Sequence, residues 1–74
     1  MKVYVIVSMD KTEHVLNDIS VYVKREDAVF ELGSIAADME YPIVGYETLE
    51  DGTTSPCVLR SDDWEVQLFE REVQ

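Results

Sequence analysis

Residues 19–41 read ISVYVKREDAVFELGSIAADMEY, and the hydrophobic period changes in the middle of them. Up to Lys24 the pattern has period two: Ile19, Val21 and Val23 fall on one face of an extended chain, Ser20, Tyr22 and Lys24 on the other. From Arg25 the spacing lengthens to about 3.6, so Ala28, Val29, Leu32, Ile35, Ala36 and Met39 line one side of an α-helix. Glu26 and Asp27 stand where carboxylates favour the positive end of the helix dipole. Tyr41-Pro42 supplies the stop, because the residue before a proline is pushed out of the helical region. Gly33, mid-helix, costs about 1 kcal/mol relative to alanine. It either lets the helix approach a sheet closely or is simply tolerated.

Outward from this segment, the chain reads as strands. Residues 2–9, KVYVIVSM, put Val3, Val5 and Val7 on one face and Tyr4, Ile6 and Ser8 on the other. Both faces are largely apolar, which predicts a central strand. Residues 10–17 are polar apart from Val15 and Leu16 and read as a loop. Beyond the helix, residues 43–49 form a third strand, and Glu50-Asp51-Gly52 marks a turn. Pro56 limits the fourth strand to residues 57–60, starting there or lying at an edge. After the turn Ser61-Asp62-Asp63, residues 64–71 alternate cleanly, with Trp64, Val66 and Leu68 against Glu65, Gln67, Phe69 and Arg71. The order β-β-α-β-β-β predicts one α+β domain over residues 1–74, a two-layer structure with an antiparallel sheet of four to five strands and one amphipathic helix.

With 74 residues the chain has room for one core. Domains of this size usually need a staple. Cys57 is the only cysteine and His14 the only histidine, so neither an intramolecular disulfide nor a Cys/His zinc site can be built. No metal or cofactor is expected, and self-association is the staple left open. Without a run of about 18 apolar residues or a basic leader, the chain reads as cytoplasmic and independent of membranes.

Charge is the loudest feature, at a formal −10. It is uneven: residues 1–25 hold three acids and four bases, whereas residues 26–74 hold thirteen acids and two bases. Such a field repels nucleic acid and attracts basic proteins or cations. On the helix the apolar stripe is opposed by an acidic ridge of Asp27, Glu31, Ser34 and Asp38, and Glu40 joins these acids as a candidate partner contact. Its carboxylates are spaced roughly 6 to 10 Å along the axis, comparable with phosphates on a nucleic acid strand. A solvated helix face is the ordinary alternative. Phe30 projects nearly opposite the core stripe and is a candidate anchor.

The sheet offers a second candidate. If Val3, Val5, Val7, Ile19, Val21, Val23, Trp64, Val66 and Leu68 face the helix, Tyr4, Ile6, Tyr22 and Phe69 gather on the open side, rimmed by Glu65, Gln67 and Arg71. That face would take a second copy in a homodimer or a foreign protein. Catalysis finds little support: His14 lies in a polar loop with nothing tying it to Ser8, Ser55 or Cys57, and the pairs Asp62-Asp63 and Glu50-Asp51 read as solvated turns.

The succession VYVIVS (3–8), ISVYVK (19–24) and REDAVFEL (25–32) resembles the opening of small proteins encoded by phages and mobile elements. The resemblance covers roughly the first half of the chain and carries over no site residue. It implies a non-enzymatic accessory protein, such as an inhibitor of a host defence or nucleic-acid-binding protein that acts as a DNA mimic. A structural protein assembling through the open sheet face is the alternative.

Overall fold

The alternating run at the end of the chain finds its partner at the beginning. In the computed structural model, which describes residues 1–73, the elements are β1 (Lys2–Asp10), β2 (Val15–Tyr22), α1 (Arg25–Met39), β3 (Ile43–Thr48), β4 (Thr54–Arg60) and β5 (Trp64–Glu72). β1 and β5 pair antiparallel over their whole length, from Lys2 opposite Glu72 to Asp10 opposite Trp64. β2 and β4 flank this pair and β3 closes the far edge, giving one five-stranded antiparallel sheet in the order β2-β1-β5-β4-β3. The α+β order β-β-α-β-β-β is the one the sequence predicts.

α1 lies on one face of the sheet. Ala28 and Leu32 are its fully buried residues, and they meet Ile6, Leu59, Val66 and Leu68 from the strands. Tyr4, Tyr22, Val29, Ile35, Ala36, Tyr41 and Cys57 pack around this cluster. The helix begins after Lys24, which is extended and offers no side-chain cap, and ends at Glu40 in the left-handed conformation, φ 56°. The amide of Tyr41 closes the last turn by donating to the Ala36 carbonyl at 3.0 Å.

Which strand faces lie under the helix differs from expectation. Ile6 is 4% exposed, and Tyr4 and Tyr22 pack against the core, so these three are covered residues rather than open-face ones. Register decides this. Ile6 stands opposite Leu68, so the even-numbered residues of β1 share a face with Val66 and Leu68. Tyr4 stands opposite Tyr22, which brings the even-numbered residues of that end of β2 to the same side. Val3, Val5, Val7, Ile19 and Val21 therefore face away from α1, as Phe69 does.

Two strand starts also move. The polar segment after β1 contracts to a turn at residues 11–14, because the Asp10 carboxylate accepts from the amides of Thr12 at 2.9 Å and Glu13 at 3.3 Å. β2 therefore starts at Val15 and runs past a bulge opposite Ser8 and Met9. β4 starts at Thr54, ahead of Pro56. Pro56 is tolerated because it pairs with Tyr46 of edge strand β3, whereas the ladder to β5 begins only at Val58.

The glycines separate two roles. A Cβ on Gly45 would stand 2.9 Å from both Cβ and Cγ2 of Val58, so the doubly irregular β3–β4 pairing needs a bare backbone there. A Cβ on Gly33 would meet nothing within 4 Å. Gly33 is thus not a point of close approach to the sheet. Gly33→Ala should raise stability by about 0.5 to 1 kcal/mol, and Gly45→Ala should lower it by about 1 to 3 kcal/mol, both read from urea denaturation; equal effects would contradict this assignment.

Candidate interaction surfaces

The helix turns about 100° per residue, so the side chains opposite Ala28 and Leu32 project into solvent. Phe30 sits at the centre of this outer face and is 76% exposed. Asp27 and Asp38 are exposed beside it and Glu31 is half-buried. Glu40 is exposed but stands at the left-handed cap, two residues past Asp38, so it falls on the opposite flank and leaves the ridge to Asp27, Glu31 and Asp38. Among the described residues none of these acids makes an ion pair. The sheet acids Glu47, Glu65, Glu70 and Glu72, in contrast, are all paired.

Among the described residues nothing covers the sheet face away from α1. Across it Val21, Val5 and Phe69 stand side by side on three adjacent strands, and Ile19, Val7 and Gln67 form the next row. Val58 continues the second row on β4. Of the four residues expected on an open face, only Phe69 is there. The polar residues Glu65, Gln67 and Arg71 mark the uncovered side of β5 alone, and only its pairing with β1, which the sequence does not show, transfers that side to the valines.

The strands' acids nearly all avoid this face. Glu65 is the single acid on it, held by Arg60 at 2.6 Å and by the Gln67 amide at 3.0 Å. Arg71 lies over the Phe69 ring, 4.8 Å from its centre. The hydrogen bond from Arg60 is the largest influence on the Glu65 carboxyl and holds it below its ordinary range, against the partial burial that pushes it up. A depressed folded value means that the stabilisation is present at neutral pH and disappears as pH falls from the unfolded value through the folded one. The stability difference between the native protein and Glu65→Gln should therefore shrink between about pH 5 and pH 3, as read by thermal melts; a difference independent of pH would contradict it.

A third feature escaped the sequence reading. β4 and β5 pair over only Val58–Arg60, so their other ends splay apart. Arg25, the first residue of α1, fills the split: its guanidinium donates to Glu47 on β3 and, at 3.0 Å, to Glu70 on β5, and it lies 4.9 Å from the centre of the Tyr4 ring. An open cleft of about 450 Å³ adjoins it, lined also by Lys2, Glu50 and Asp51. The fork geometry of arginine is what reaches two carboxylates at once. Arg25→Lys should cost about 1 to 2 kcal/mol and speed amide exchange in β3 and β4 ahead of β1; uniform exchange rates would show that the tie is not local.

The residues considered for catalysis are scattered. His14 is exposed in the β1–β2 turn, whereas Ser55 and Cys57 lie on β4 with β1 and β5 between. Burial, and then the charge of Glu47, push the Cys57 thiol up from its ordinary value, which keeps it protonated. Among the described residues no three His, Cys, Asp or Glu side chains are placed to hold a metal ion, and no helix is long and apolar enough to cross a membrane. No family model, curated protein or solved structure matches the chain.

Proposed function

We propose that this chain is a non-enzymatic protein-interaction module whose helix face binds a partner with a basic surface. The observation that carries this is Phe30, a large aromatic 76% exposed in the middle of a helix, beside acids that have no cationic partner among the described residues. Aromatic residues are enriched in the cores of interfaces and polar ones at their rims, the arrangement that Phe30 and the acids on its flank offer. The acids steer a cationic partner to it.

A sharper form is an accessory protein of the phage or mobile-element type, acting in the cytoplasm on a host protein that binds nucleic acid. Asp27, Glu31 and Asp38 span roughly 16 Å along the helix and offer carboxylates where such a protein expects phosphates. The net charge of −10 disfavours nucleic acid itself as the ligand.

Glu31→Lys with Asp38→Lys should weaken binding to a protein captured from host lysate by about 100-fold, and Phe30→Ala by at least about tenfold, with far-UV circular dichroism unchanged. Raising salt from about 0.05 to 0.5 M should weaken the native complex. Affinity indifferent to the charge reversals and to salt would end the proposal.

A further inference from the structure

We infer that the bare sheet face is closed by a second copy of this chain, in a two-fold face-to-face sandwich centred on β5. The first support is size. The body is flat, 34 × 26 × 17 Å. Five strands at about 4.8 Å spacing and about 3.3 Å per residue present a face of roughly 600 Å². Two such faces remove about 1,200 Å² from water, the lower bound of a stable specific interface.

The second support is charge. A chain at −10 resists its own approach, yet on the strands this face carries one acid, Glu65, against two bases, Arg60 and Arg71. The carboxylates of Asp18, Glu47 and Glu70 belong to the helix side of the sheet, by register with Ser8, Ser55 and Tyr4. Stacking through the bare face therefore leaves nearly all the acids of both copies directed outward.

The third support is self-complementarity, which distinguishes a second copy from another partner. β5 is the middle strand of five and presents Glu65, Gln67, Phe69 and Arg71 in that order. A two-fold axis lying between the sheets and perpendicular to the strands lays β5 antiparallel over its own copy. Glu65 then faces Arg71 of the other copy, and Gln67 faces Phe69. On β1 the same operation sets Val5 against Val7. Sheets pack about 10 Å apart, a gap that a glutamate and an arginine reaching from opposite sides can span. Every contact is made twice, as an isologous interface requires.

Sedimentation of the full chain tests this. The native protein should reach a dimer at tens of micromolar, and more salt should tighten it by screening repulsion, the opposite of its effect on a complex at the helix face. Val21 is 61% exposed, so Val21→Glu should leave the fold intact by circular dichroism and give a monomer. Arg71→Glu should weaken dimerisation by at least about tenfold by setting two carboxylates together, and Arg71→Lys far less. Glu31→Lys with Asp38→Lys should leave the dimer in place, which separates this inference from the function proposed above. A native protein that stays monomeric up to about 1 mM at high salt would overturn it, and so would a dimer indifferent to both Val21→Glu and Arg71→Glu.

Discussion

One fifteen-residue helix can cover only the middle of one face of a five-stranded sheet, and the rest of this molecule follows from that limit. A helix with its side chains is about 10 to 12 Å across, whereas five strands spread over roughly 20 Å. α1 therefore buries only the middle of the sheet, from Ile6 on β1 through Val66 and Leu68 on β5 to Leu59 on β4. Edge strand β2 is left exposed along most of its length. Among the described residues nothing covers the second face, although β1 supplies four apolar residues to it, Val3, Val5, Val7 and Met9, and only Tyr4 and Ile6 to the first.

The charge is arranged around that limit. Carboxylates on the sheet are placed on the helix side or at strand ends, where Arg25, Lys2, Arg60 and the chain's amino terminus meet Glu47, Glu65, Glu70 and Glu72 and backbone amides meet Asp10 and Asp18. The helix acids meet no such partners among the described residues and face solvent with Phe30. The protein thus shows two surfaces of opposite character, an acidic convex ridge on α1 and an apolar, nearly acid-free plane on the sheet. A partner suited to one is unsuited to the other. The two can be occupied together, since they lie on opposite sides of the molecule.

Arg25 joins the two halves of this design. It begins the helix and also holds the splayed ends of β3 and β5, so the position of α1 and the closure of the sheet share one side chain. Nothing in its local sequence announces the role: Arg25 reads as an ordinary charged residue at a helix start, and its two acceptors lie 22 and 45 residues away. Pro56 and Asp10 act over shorter range, yet their effects too depend on partners outside their local sequence pattern. Pro56 does not begin β4, because the missing donor matters only where a ladder needs it. Asp10 shortens a loop by capping a turn that polarity alone cannot reveal.

The elements of this fold were legible in the sequence because they rest on local rules. The change of period at Arg25 marks the start of α1 and the stop before Pro42 falls within two residues of its end at Met39, and the alternation of Trp64, Val66 and Leu68 orients β5 by itself. The uneven distribution of charge is likewise a property of composition alone. What only the tertiary structure decided is which side of β1 and β2 the helix covers. Val3, Val5 and Val7 are as apolar as Tyr4 and Ile6, so periodicity along one strand has no means of choosing between them. The choice comes from register against β5, where Ile6 meets Leu68, a contact between residues at opposite ends of the chain.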